Sequence, residues 1–322
     1  LFAITDTLRE AFAEDEEDKE YVEDVSYEDT GEQTEGKTAS CTNYGIVEGD
    51  VNVGGITGSM AIEYDFDPED DVKSEGDLSG DFVYQTRAVI RACKNEGKVT
   101  AKKNGVGGIV GSMDLGSVID CYAYGSITSS SGKYTGGIAG YSRADIRHSY
   151  AKCTLSGNDY VGGIAGENYG SIKGCKVEGT ISGKRFTGGI AGHSSGSIVE
   201  CENRAEVNTG ISAGGLEIDK LNVEGMTLTG AEDTDVVSDS GGIVGFSSGL
   251  VDSCINLGAV GYPHYGYNVG GIAGRQSGHI TSCTNMGEIY GRKDVAGIVG
   301  QMEPYLKLLA SASLADEIRT LQ

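Results

Sequence analysis

The chain has no tryptophan, three prolines and four histidines in 322 residues, and aromatic residues make up 7% of it. With so few large rings, a single thick core of the usual globular kind has little to be built from. The three prolines all fall outside the repeated blocks described below. No apolar run approaches the ~18 residues that a membrane-spanning helix needs. No secretory leader pattern is visible either, and the chain opens at Leu1, which reads as a piece of a longer protein. None of His148, His193, His264 and His279 stands in a His-Glu-x-x-His arrangement, so a zinc peptidase centre of that type is not encoded here. Cys-x-x-Cys pairs are absent too, which removes the commonest structural zinc signature. No cofactor is implied.

Basic residues are scarce. Lys and Arg number 25 against 48 Asp and Glu, a net charge of −23. Nucleic acid and anionic lipid both require a basic footprint, so neither is an expected partner. The acidity is uneven. Residues 1–36 carry a net −12 and residues 62–81 a net −8, which leaves −3 for everything else. Such tracts read as solvated segments flanking or interrupting a nearly neutral body.

Glycine is abundant, at 52 residues, and it recurs in phase. Gly107-Gly108-Ile109-Val110-Gly111 returns at 136–140, 162–166, 188–192, 241–245 and 270–274. Gly54-Gly55-Ile56-Thr57-Gly58 precedes the series and Ala296-Gly297-Ile298-Val299-Gly300 closes it. Gly214-Gly215-Leu216 fills the gap before Gly241. From Gly107 the spacings are 29, 26, 26, 26, 27, 29 and 26 residues. A second block, Ile/Val-x-x-Cys-x-Asn-x-Gly-x-Val/Ile, travels with the first. Its clearest copies are Ile90/Cys93/Asn95/Gly97/Val99, Val251/Cys254/Asn256/Gly258/Val260 and Ile280/Cys283/Asn285/Gly287/Ile289. Within it every second residue is small, apolar or Asn, which is the alternation of a strand with one inward face.

A fixed period of about 26 residues with strand alternation and no helical spacing predicts an all-β, right-handed parallel β-helix or solenoid. Residues 41–299 divide into about ten coils at this period, a rod of roughly 50 Å at ~4.8 Å per coil. Three segments are expected: an acidic helical or flexible stretch at 1–36, the solenoid at 37–301 with an acidic insertion at 62–81, and a C-terminal helix at 302–322. Leu1, Ile4, Leu8 and Phe12 share one helical face, and Leu306, Leu309, Leu314, Ile318 and Leu321 share another. These end helices either cap the open edges of the rod or mediate self-association.

Seven of the eight cysteines occupy one repeat position; Cys153 sits in the glycine slot, with Ser149 in the cysteine slot. Two readings stand, a column of buried free thiols or staples between coils. In-register parallel strands point both Cβ atoms the same way, which favours free thiols. The Asn two residues after Cys is expected to form an amide ladder.

The Gly-Ile-x-Gly core at Gly108-Ile109-Val110-Gly111 and its copies resembles the GLUG repeat. That repeat is best known from a non-catalytic region of Gram-positive immunoglobulin A metallopeptidases and from large surface proteins. The resemblance covers about residues 41–300. It implies a secreted or cell-surface setting, attached or free, in a Gram-positive, host-associated bacterium; a host glycan or protein is the partner that the aromatic positions described next would suit. It transfers no catalytic residue to this chain.

Three candidate sites remain. Tyr134, Tyr160 and Phe186 each stand two residues before a Gly-Gly pair in successive coils, so they form an aromatic ladder. It either stacks on a ligand or only supports neighbouring strands. Arg143, Asp145, Arg147 and His148, with Asp159 and Glu167 one coil on, are the best cluster for a lyase or glycosidase, since such sites group carboxylates and cations on one face. The plain alternative is ordinary surface charge on a turn. Asp65, Asp67, Glu69 and Asp71 suggest calcium, but the loop lacks the glycine and the closing acid of an EF-hand, leaving a looser clip or a flexible acidic insertion. The favoured function is therefore a non-catalytic spacer or adhesin-like rod, with a glycan-binding module or a carbohydrate-active enzyme as alternatives.

Overall fold

A computed structural model describes residues 22–62, 84–210 and 237–304. Among these, the chain is a parallel β-solenoid with almost no helix; a single 3-10 turn spans Ser26–Glu28. Each rung has four faces. In the third rung they are Ser117–Ile119, Tyr122–Ser129, Lys133–Gly136 and Ala139–Ser142. Equivalent strands pair only with their counterparts above and below, always in parallel, and three of the four ladders hold eight strands each.

Eight rungs make about seven turns from first to last, not the ten coils expected. The reason lies in two double steps. Thr57 pairs directly with Val110, and Ala191 directly with Val244, although 53 residues separate each pair. The stack advances by one rung at each of these places, so dividing length by period overcounts. Gly188 likewise pairs directly with Gly241, one rung on, and the glycines at 214–215 lie outside the described residues. The stack is then ~34 Å tall at ~4.8 Å per rung.

The core is a set of columns. Ile109, Ile138, Ile164, Ile190, Ile243 and Ile272, the isoleucines of the glycine pentads, are fully buried. Val118, Ile146, Ile172, Ile198 and Val251 form a second buried column. Burying one aliphatic side chain of this size stabilises by about 1.5–3 kcal/mol, and the columns repeat that gain at every rung. All eight cysteines are free thiols. The Ser149 hydroxyl takes the cysteine place, accepting the Cys121 N–H at 3.2 Å. Cys153 pairs with Gly125 and Gly179, as its slot demands, and burial pushes its thiol up to about 12.

Corners turn on single residues with left-handed backbone. One column is Ser40, Ala92, Asp120, His148, Gly174, Glu200, Ser253 and Ser282, each just before the cysteine slot. The other is Asn52, Gly105, Tyr134, Tyr160, Phe186, Asp239, Asn268 and Asp294, each at the entry to the third face. The second face shows how one residue sets strand length. At Asn43, Asn95, Asn203, Asn256 and Asn285 the side-chain oxygen accepts the N–H two residues on, which turns the chain. Where Ala123, Ala151 and Val177 stand instead, strands run unbroken over Tyr122–Ser129, Tyr150–Ser156 and Lys176–Ser182.

The expected terminal helices, with Leu1 to Phe12 and Leu306 to Leu321, lie outside the described residues. Within 22–36, Val22–Asp24 pairs in parallel with Tyr84–Thr86. The segment then straps the outside of the first face. The Asp24 carboxylate accepts the Gly116 N–H at 2.7 Å, and Asp29 accepts from Lys37 at 2.8 Å and Arg91 at 3.1 Å. Arg147 donates to the Tyr27 carbonyl at 2.8 Å.

Candidate functional site

Register brings Tyr134, Tyr160 and Phe186 into one column, since Lys133, Asp159 and Arg185, their immediate predecessors, are in-register partners. Ring centroids are 5.3 Å apart for Tyr134–Tyr160 and 4.9 Å for the stacked Tyr160–Phe186 pair. The aromatic ladder is therefore present. It is also wider than the sequence pattern indicated. The fourth face contributes a parallel column, Tyr141, Glu167, His193, Phe246 and Arg275, register partners in successive rungs. Tyr141 packs on Tyr134 at 5.7 Å, His193 stacks on Phe246 at 5.2 Å, and Tyr169 joins from the next corner. The missed signal was available: each of these residues lies at the same offset after its Gly-Gly pair.

At the centre sits Glu167, 5% exposed. Its Oε1 accepts the Tyr169 hydroxyl at 2.9 Å and lies 3.2 Å from His193 Nδ1. Burial would push this carboxyl up, but hydrogen bonds from His193, Tyr169 and Tyr134 together hold it below its ordinary value. Burial, followed by the Glu167 charge, pushes Tyr134 up to about 12, and burial with the hydrogen bond to Glu167 does the same at Tyr169. Cations close both ends of the block. Arg275 lies over Phe246 at 4.5 Å and over Phe186 at 5.4 Å. Arg143 lies over Tyr141 and Tyr169, and Lys133 over Tyr160. Such contacts contribute about 0.5–1 kcal/mol each at exposed sites.

The carbohydrate-enzyme candidates divide between faces. Asp145 and Arg147 form an ion pair on the first face, where burial raises the Asp145 carboxyl against the pull of Arg147. His148 occupies a left-handed corner. Asp159 is held by Arg185 through two bonds, at 3.1 and 2.5 Å. Only Glu167, Arg143 and Asp159 reach the aromatic block or its margin. Asp65, Asp67, Glu69 and Asp71 lie outside the described residues.

Residues 157–182 match the family model of the GLUG motif. The chain carries a GLUG repeat. The matched stretch contains one whole rung, Asp159–Gly162, Ala165–Asn168, Ser171–Lys173 and Lys176–Ser182. One GLUG repeat is thus one turn of the solenoid, starting at the corner before the aromatic ladder. Nothing among curated proteins or solved structures matches the chain.

Proposed function

We propose that this GLUG-repeat solenoid is a rigid, non-catalytic rod in an extracellular bacterial surface protein, acting as a spacer that holds flanking parts apart. The carrying observation is that register stays in phase through eight rungs, including both 53-residue double steps. A molecule built to hold distance needs that continuity. Each carboxylate singled out for catalysis is held by the chain's own groups: Asp145 by Arg147, Asp159 by Arg185, and Glu167 by His193 and Tyr169. That supports the non-catalytic reading. The surface setting rests on the resemblance to surface-protein repeats. Its test is protease shaving of intact producing cells: release of peptides from residues 84–304 supports display outside the cell, and their recovery only after lysis refutes it.

A second reading, adhesion to a host glycan, is favoured by the backbone at the ladder. Five rungs place Asn, Gly or Asp at the left-handed corner, residues that tolerate it; three place Tyr134, Tyr160 and Phe186. A bulky residue there costs on the order of 1–2 kcal/mol. Glycan-array binding by the wild type, lost on Tyr134→Asn/Tyr160→Asn, would support a ligand role. Equal silence from both proteins leaves the ladder as a support for neighbouring strands.

A further inference from the structure

The two ends of the rod are made to fit each other. In seven rungs the second glycine of the pair is required by the rung above. A Cβ on Gly55, Gly108, Gly137, Gly163, Gly189, Gly242 or Gly271 would collide with the carbonyl oxygen of the equivalent glycine one rung on. The last rung keeps its glycine, Gly297, although among the described residues nothing lies within 4 Å of where its Cβ would be. A glycine is retained there with no described neighbour to require it.

The amide ladder ends the same way. Asn43 and Asn256 each donate to the next asparagine, at 2.8 Å, as well as to the carbonyl two residues on. Among the described residues Asn285 donates only to the Gly287 carbonyl, as Asn95 does to the Gly97 carbonyl where Ala123 follows it in the column. At the other end, Asn43 Oδ1 accepts only from Gly45, whereas Asn95 Oδ1 accepts from both Gly97 and Asn43. One end has a spare donor and the other a spare acceptor.

We infer that the last rung of one copy docks on the first rung of a second copy, head to tail, as a ninth step of the same ladder. Residues 279–302 and 37–60 are equal in length and start their first, second and fourth-face strands at the same offsets, His279 with Lys37, Thr284 with Thr42 and Val299 with Thr57. Gly297 then meets the Gly55 carbonyl, Asn285 donates to Asn43, and Ile298, 44% exposed, covers Ile56. Met286, 70% exposed, lands on Tyr44, 73% exposed, a thioether–aromatic contact. Exposed Arg292, over the Tyr267 ring, reaches exposed Asp50, so the charges agree. The contact continues an interface that the rod already makes seven times. Neither flanking stretch repeats the ladder residues: residues 303–322 contain neither glycine nor asparagine, and residues 1–36 contain no asparagine. Because the contact is heterologous and does not close, it builds linear oligomers. It goes beyond the spacer reading, which stands for a single rod whatever the outcome.

The test is sedimentation velocity of the full chain over a wide concentration range. The wild type is expected to show mass rising with concentration. Gly297→Val fills empty space in a single copy, so its melting temperature matches the wild type, while the rise in mass is lost. Asp50→Arg and Arg292→Asp each weaken association, and the double variant restores it. A wild type that stays monomeric at every concentration overturns the inference, as does undiminished association by Gly297→Val; a single-copy cap over the last rung would give the first of these results.

Discussion

At the scale of single residues, position in the column decides the cost of a change. Ile164 is fully buried between Ile138 and Ile190. Ile164→Ala is expected to lower unfolding free energy by about 2–5 kcal/mol, because the rungs on either side cannot collapse into the space. Tyr160→Asn is expected to shift it by less than about 1 kcal/mol. It forfeits ring stacking of ~0.5–1.5 kcal/mol but relieves a bulky left-handed corner that Asn tolerates. Chemical denaturation of both variants checks the contrast. Glu167 gives a pH prediction. Its carboxyl lies below the ordinary 4.5 in the folded protein, so its contribution is complete above that value and is lost as pH falls through the lowered one. Glu167→Gln should lower stability most at neutral pH, with its deficit against the wild type shrinking as pH falls below about 4.5, so that the acid limb of its stability curve is flatter. An unchanged acid limb would show that the carboxylate network does not stabilise the fold.

At the scale of elements, the asparagine turn and the glycine approach are the repeated devices. Asn256 links two rungs, accepting from Asn203 and donating to Asn285, both at 2.8 Å. Removing it leaves the buried Gly258 N–H and the Asn203 amide without their acceptor. Asn256→Ala is expected to cost about 1–3 kcal/mol, read as a drop in denaturation midpoint. These devices were legible in the Cys-x-Asn-x-Gly spacing, as were the strand alternation and the thiol column. The count of coils was not. Sequence spacing treats Gly54 to Gly107 and Gly188 to Gly241 as two periods each, and only the pairing of Gly188 with Gly241 reveals a single step. The candidate site was half legible. Tyr134, Tyr160 and Phe186 announced themselves by their offset from Gly-Gly. Tyr141, Glu167, His193, Phe246 and Arg275 share a later offset but differ in chemistry, so no single residue type marked the column.

At the scale of the whole molecule, the strap over the first face ties residues 22–29 to four rungs. The Asp29 side chain is fully buried, facing Lys37 and Arg91. Asp29→Asn leaves the Lys37 ammonium, itself 6% exposed, without its counter-charge. The expected result is about 1–3 kcal/mol of lost stability and faster proteolysis ahead of residue 37, with the rungs beyond protected. Uniform loss of protection along the rod would instead show that the strap and solenoid unfold as one unit.

The sequence by itself determined the architecture, because a repeated inward column of Ile, Cys and Gly can be buried only by stacking equal turns on one another. It also determined which residues fall in each column, since in-register pairing carries every offset from rung to rung. Only the tertiary structure decided how many turns there are and which outward columns adjoin. Two strands 53 residues apart pair as readily as two 26 apart, so added length between rungs does not disturb their phase. Neighbouring faces are brought together by left-handed corners at residues such as Tyr134 and Phe186, whose side chains do not announce that backbone.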